Sequence, residues 1–135
     1  DARRAVEVTL GELDRTFGDV YGNDAGHLEF QYTARASHAL NKAFGAPVGK
    51  AFGITVGAPA AIGVVLADTA VKASTIDVIG YSSPAHGTSY SNEVISCFTG
   101  DSGAVRQAII AARATGLELL GAMGDVPTST TTPYI

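Results

Sequence analysis

The sequence has 135 residues and contains no tryptophan, one methionine and one cysteine, and aromatic residues make up only 7% of it. Because Cys97 is the only cysteine, no disulfide can form within the chain and a thiolate zinc site is excluded. Hydrophobic residues still reach 46%, and there are 16 glycines. Small side chains must therefore provide much of the packing, in one domain of ordinary size. We expect Cys97 to be a small buried hydrophobic residue.

Charge and long apolar runs are also scarce. Charged residues make up 16% of the chain, and the net charge is -4. No basic face is evident, which argues against a nucleic-acid partner. No apolar run approaches the roughly 20 residues that a membrane span needs, so we expect no membrane partner either. The chain opens at Asp1 inside a predicted helix, and we expect it to be a fragment or a trimmed form of a longer protein.

Apolar periodicity predicts an alternation of helices and strands. Helical spacing covers residues 1–22, with Asp1 as the N-cap, and a strand follows from His27. A short helix then ends near Gly45. The remaining elements are a strand at 50–57, a helix at 60–74 with Pro59 before it, strands at 75–82 and 91–100, a helix at 102–116 capped by Asp101, and a short strand at 117–124.

From residue 26 onward this order contains the β-α-β-β-α-β pattern of ferredoxin-like folds. We therefore predict an α+β domain over residues 26–124, with a mostly antiparallel sheet of four to five strands covered on one face by helices. Residues 1–22 do not fit into that unit. The tail at 125–135 has little packing capacity, so we expect it to be extended, disordered or held by a neighbour.

The segment "YSSPAHGTSYSN" at 81–92 is a polar loop between two apolar runs. Ser83 or Ser89 with His86 could form a nucleophile and its base, which leaves a hydrolase as one alternative. A nucleophile also needs a third group that orients the base, and this loop contains no acid. The other interpretation is a lining of hydroxyl and imidazole groups that bind polar solutes without reacting with them.

Three further patterns have simple structural explanations. "GDSG" at 100–103 is typical of serine proteases, but here it opens a helix, where Asp101 can serve as the N-cap. The three histidines have no metal-ligand spacing, so we expect no metal and no cofactor. Asp68 and Lys72 stand four residues apart on one helix, which favours a surface ion pair.

The segments "ADTAVKASTIDVIGY" from Ala67 and "GDSGAVRQAIIAA" from Gly100 contain two longer patterns. Together they resemble bacterial microcompartment shell proteins. "LDRTFGDVYGNDAGHLEFQYTARASHAL", "KAFGAPVGKAFG", "YSSPAHGTSYSNE" and the ending "PYI" are similar to one branch. That branch is the trimer-forming tandem shell proteins of propanediol- and ethanol-utilisation compartments. The resemblance covers essentially the whole chain.

The resemblance implies a circularly permuted shell domain at 26–124, preceded at 1–22 by the closing helix of another copy and followed by an extended tail. It implies no enzymatic activity. The chain would instead self-assemble, as a trimer or hexamer, into pseudo-hexameric tiles of a compartment shell in the cytoplasm. Other shell proteins and small polar metabolites would be its partners. Lys72 would lie at the tile edge. The pore would be lined by Ser82, Ser83, Pro84, His86, Gly87, Thr88 and Ser89.

A regulatory domain that binds a small ligand on the same ferredoxin-like scaffold remains an alternative, because a fold does not determine a function. It would be distinguished by a closed ligand site between subunits and by the absence of two-dimensional sheets.

Overall fold

The computed structural model describes residues 1–16, 19–83 and 92–129 of the chain. Four helices and five strands occur in these residues. Their bounds are α1 Ala2–Thr16, β1 Asp19–Asn23, β2 Gly26–Thr33, α2 His38–Phe44, β3 Ala51–Ala58, α3 Ala60–Ala73, β4 Asp77–Ser82, β5 Val94–Gly100 and α4 Ser102–Met123.

The five strands form one sheet in the order β1-β2-β3-β5-β4, and each neighbouring pair is antiparallel. Strand β3 occupies the centre, and all but one of its eight residues are buried. Helix α3 carries the chain from β3 to β4 across β5, and α4 follows β5 directly. The predicted α+β domain with an antiparallel sheet is confirmed.

The main core lies between the sheet and helices α3 and α4. Leu28 and Phe30 of β2 and Phe98 of β5 are completely buried there, against Leu66 of α3 and Ile109 of α4. Residues two apart on a strand share a face of the sheet, so the intervening side chains lie on the opposite face.

The opposite face of the sheet carries a smaller core under α2. Phe52 and Cys97 are buried there and pack with Leu40 and Ile54. The ring of Phe44 lies 5.3 Å from that of Phe52. The expectation that helices cover only one face is therefore wrong, because the short α2 buries part of the second face. The prediction of a buried Cys97 is confirmed, since this residue is 5% exposed.

Glycines allow the layers to approach closely, as the composition predicts. A Cβ on Gly57 would lie 2.6 Å from the backbone of Gly63, and one on Gly63 would lie 2.6 Å from Cβ of Val94. Helix α2 ends in a different way, at Gly45, whose φ of 71° is left-handed and whose N–H donates to the carbonyl of Asn41. The predicted end of this helix is confirmed.

The first helix is shorter than predicted. It is capped by Asp1, whose carboxylate accepts the N–H of Arg4 at 3.0 Å, but it ends at Thr16. Residues 19–23 form strand β1, paired with β2, so a helix over 1–22 is wrong. The reason is tertiary. Asp19 is completely buried and receives a hydrogen bond from Arg113 of α4, which holds this segment at the sheet.

The predicted last strand at 117–124 is also wrong, because α4 continues without a break to Met123. The sequence predicts that the helix ends at Gly116. Gly116 is instead a packing position, since a Cβ there would lie 2.9 Å from Leu66 and 3.2 Å from Leu28. Leu120, one turn later, is completely buried. The apolar spacing after Gly116 therefore continues the helix.

Two local expectations are corrected as well. Asp101 occupies the N-cap position of α4, but its side chain makes no capping hydrogen bond and lies 3.4 Å from Nζ of Lys50. In the tail, Thr128 exchanges two backbone hydrogen bonds of 3.0 Å with Gly22 of β1. The described part of the tail is thus held by its own chain.

Candidate functional site

The described ends of the polar loop meet at the edge of the sheet and form what we call the neck: Ser82, Ser83, Asn92 and Glu93. Ser82 ends β4 and pairs with Ile95 of β5. The hydroxyl of Ser83 donates to the backbone carbonyl of Glu93 at 3.0 Å. This bond joins the two sides of the neck just beyond the last pair of strand residues.

Asn92 connects the neck to the start of α3. Its side-chain oxygen accepts the backbone N–H of Ala60 at 3.3 Å. The first N–H groups of a helix have no partner within the helix, and the N-cap residue Pro59 has no side-chain acceptor to offer. Asn92 therefore caps α3 from a distance in sequence, a role that spacing along the chain could not indicate.

His27 connects the neck to β2. Its Nε2 lies 3.1 Å from a carboxylate oxygen of Glu93 and 3.9 Å from one of Glu29. The side chains of His27 and Glu93 are 42% and 25% exposed. Sequence reasoning missed this contact, because 66 residues separate the two partners.

The predicted pore residues are only partly described. Ser82 and Ser83 lie at the neck. Pro84, His86, Gly87, Thr88 and Ser89 lie outside the described residues. In the described part of the chain, the Ser83 hydroxyl donates to a backbone carbonyl and not to a base. A nucleophilic serine needs a base within hydrogen-bond reach, so this bond gives the hydrolase alternative no support.

A cavity of about 380 Å³ adjoins the neck on the α2 face of the sheet. Its walls are mainly apolar and include Phe44, Tyr81 and Ile95, with Cys97 also lining it. Burial raises the pKa of the Cys97 thiol above its ordinary value. A thiol with a raised pKa is a poor nucleophile at neutral pH, so Cys97 is suited to packing.

Lys72 lies near the other end of α3. Its Nζ is 2.6 Å from a carboxylate oxygen of Asp68, and both side chains are exposed. The predicted surface ion pair is confirmed. Lys72 stands 12 residues after Ala60, whose N–H contacts the neck. At 1.5 Å per residue the two ends of the helix are about 18 Å apart.

Among residues 1–16, 19–83 and 92–129, no group of three or more histidine, cysteine or acidic side chains is arranged to hold a metal ion. No helix in this same part of the chain has the length and apolar character needed to cross a membrane.

Residues 51–130, more than half of the chain, match the BMC domain. The chain belongs to the BMC domain family. The match begins with β3, whereas β2, which lies beside β3 in the sheet, comes earlier in the sequence.

Curated relatives in this family are shell proteins. The chain is 62% identical over all 135 residues to the bacterial microcompartment shell protein PduB of Citrobacter freundii, of which it covers 50%. It is equally identical to PduB of Salmonella typhimurium, with the same coverage. Identity to PduB of Limosilactobacillus reuteri is 52%, over 57% of that protein. The chain thus spans about half the length of the relatives it matches.

Solved BMC structures agree with the fold. A trimeric bacterial microcompartment shell protein PduB superimposes with a TM-score of 0.90 at 51% identity, covering 99% of this chain and 59% of that one. EtuB from Clostridium kluyveri superimposes with a TM-score of 0.92 at 53% identity, covering 100% and 59%. The PduB relatives are named as shell proteins, so neither the hydrolase nor the regulatory alternative gains support.

Proposed function

We propose that this chain is a structural unit of a bacterial microcompartment shell in the cytoplasm, of the propanediol-, ethanol- or ethanolamine-utilisation type. It forms pseudo-hexameric tiles with itself and packs beside other shell proteins. The observation that carries the proposal is the 62% identity to PduB shell proteins over the whole chain. The neck lies at one end of α3, and Lys72 lies near the other, about 18 Å away. Two separate sites of this kind support a tile with a central pore and an outer edge.

The pore assignment rests on the chemistry of the neck. Small diols, alcohols and aldehydes carry hydroxyl or carbonyl groups, and serine hydroxyls exchange hydrogen bonds with both. Ser82 and Ser83 therefore suit a lining for small polar metabolites. Pro84, His86, Gly87, Thr88 and Ser89 complete the proposed lining on the strength of the family resemblance.

The domain arrangement is part of the same proposal. Residues 2–20 align without a gap with residues 108–126, which comprise the last 16 of the 22 residues of α4 and the start of the tail. The identical pairs are Ala2 and Ala108, Ala5 and Ala111, Thr9 and Thr115, Glu12 and Glu118, Leu13 and Leu119, and the sequence Gly-Asp-Val at 18–20 and at 124–126. Helix α1 is thus a second version of α4, as the closing helix of another BMC unit would be.

The exposure of α1 supports this assignment. Val6 and Leu10 align with Ala112 and Gly116, which α4 buries in the core. In α1 the same positions are 57% and 62% exposed. An apolar stripe on a helix normally faces a core. We infer that α1 belongs to a preceding copy and that 26–124 is the BMC unit proper, followed by an extended tail that pairs with β1 at Thr128.

Electron microscopy of the purified chain at high concentration tests the proposal. We expect flat assemblies with a repeat of several nanometres. Lys72→Asp should abolish the sheets while circular dichroism stays unchanged, because the residue is exposed and its one ion pair contributes little to stability. Lys42→Asp, on exposed α2, is the matched control and should leave the sheets intact.

A full-length protein that remains a dispersed monomer at high concentration would contradict the shell function. Sheets that survive Lys72→Asp would contradict only the edge assignment.

A further inference from the structure

His27 contacts the neck from a strand that is not a neighbour of the neck. In the sheet, β3 lies between β2, which carries His27, and β5, which follows Glu93. Strands in a sheet are about 4.8 Å apart, so two such spacings separate the backbones of β2 and β5. The side chains of His27 and Glu93 cross this gap over the end of β3, and Nε2 of His27 lies 3.1 Å from Oε2 of Glu93.

The backbone that carries His27 is firmly placed. A Cβ on Gly26 would lie 2.0 Å from the carbonyl oxygen of Ala58. The two strands therefore approach at this end as closely as only glycine permits. His27 itself pairs with Ala58 in the register of β2 and β3. The imidazole thus projects from a fixed point beside the neck.

Glu93 lies where two other hydrogen bonds of the neck meet. Its backbone carbonyl accepts the Ser83 hydroxyl, and its predecessor Asn92 accepts the N–H of Ala60. A shift of Glu93 would alter both bonds, because they involve the same two consecutive residues.

We propose that His27 is a positioning residue of the neck. By holding the Glu93 carboxylate, it keeps Glu93 and Asn92 where they close the neck and cap α3. It also fixes a carboxylate beside the proposed passage. The consequence for passage rests on the proposed function, whereas the positioning role does not.

Amide hydrogen exchange of the full chain, followed by NMR, tests this role. In His27→Ala, the Ala60 amide should exchange roughly fivefold to tenfold faster, the size expected from one hydrogen bond. His27→Gln should restore exchange to within about twofold, because its carboxamide can still donate to Glu93. Glu29→Gln is the control and should change nothing, since Glu29 is 3.9 Å from His27.

Amides of the main core, such as that of Ile109, report on global unfolding. They should exchange equally slowly in all variants. The positioning role is refuted if Ala60 exchanges at the same rate in His27→Ala as in the parent chain, which would make the pair an inconsequential surface contact. It is equally refuted if Ala60 and Ile109 accelerate together, or if His27→Gln fails to restore the rate. None of these outcomes depends on sheets, so the shell function is tested separately.

Discussion

Gly57 and Gly63 face each other where α3 crosses β3, and neither position has room for a methyl group. A Cβ on Gly63 would lie 2.9 Å from the carbonyl oxygen of Gly57 as well as 2.6 Å from Val94. Backbone atoms cannot move aside as the end of a long side chain can. The contact therefore sets the distance between helix and sheet.

Gly63→Ala should lower the free energy of unfolding by about 1–3 kcal/mol, the usual cost of overpacking a core. Urea denaturation followed by circular dichroism measures it. Gly103→Ala is the matched control, because a Cβ there meets nothing within 4 Å. Alanine is the better helix former, so this control should gain up to about 1 kcal/mol. Equal effects of the two substitutions would refute the close-packing interpretation.

Asp19 is the one completely buried charged residue in the described chain, and its carboxylate lies 2.7 Å from the Arg113 guanidinium. Breaking a buried ion pair by neutralising one partner costs about 3 kcal/mol or more. Asp19→Asn should therefore destabilise the chain by about that amount in urea denaturation. Asp24→Asn, in the exposed turn after β1, should have no measurable effect and serves as the control.

The Cys97 thiol should react slowly with a disulfide reagent in the folded chain and rapidly in urea, because burial both raises its pKa and blocks access. The raised pKa of Cys97 also makes the stability of the chain depend on pH. The unfolded chain loses this proton first, so unfolding becomes easier as pH rises above the ordinary value of 9.0. Cys97→Ser should remove that part of the pH dependence, and an unchanged slope above pH 9 would contradict it.

At the scale of elements, patterns local in sequence were sufficient for most of the fold. Alternation and helical spacing predicted β2 to β5, α2, α3 and the part of α4 up to Gly116. They failed where a residue distant in sequence determines the local structure. Asp19 accepts a hydrogen bond from Arg113 of α4, and its segment forms a strand. Gly116 packs on Leu66 and does not end the helix. His27 and Glu93 were unpredictable for the same reason.

Helix α1 should be the least protected element. Its large apolar residues Val6, Leu10 and Leu13 are all more than 40% exposed. A helix of 15 residues whose large apolar side chains are this exposed is marginal in water. Its amides should exchange at least 100-fold faster than those of α4 in hydrogen-exchange mass spectrometry. Strong protection of α1 in a monomeric chain would show that its stripe is covered without a preceding unit.

At the scale of the whole molecule, the proposed function gives the neck and Lys72 different tasks. The neck, where Ser83 is bonded to Glu93, would line the passage for metabolites. Lys72, exposed beside Asp68, would contact a neighbouring tile. The intervening core is rigid and closely packed, so we expect a side-chain substitution at one end to leave the structure of the other end unchanged.

Substitutions at the two ends should therefore have separable effects. Lys72→Asp should abolish sheets in electron micrographs and leave saturation transfer from the protein to glycerol unchanged in NMR. Ser83→Ala should leave the sheets intact and weaken saturation transfer several-fold, because it removes a hydroxyl from the neck together with the bond that closes it. Ser74→Ala is the control for Ser83, since Ser74 Oγ donates to the Ala104 carbonyl at the opposite end of α3. If Ser83→Ala and Ser74→Ala weaken saturation transfer equally, glycerol does not recognise the neck. If Lys72→Asp also weakens saturation transfer, glycerol binding depends on assembly and the two ends are not independent.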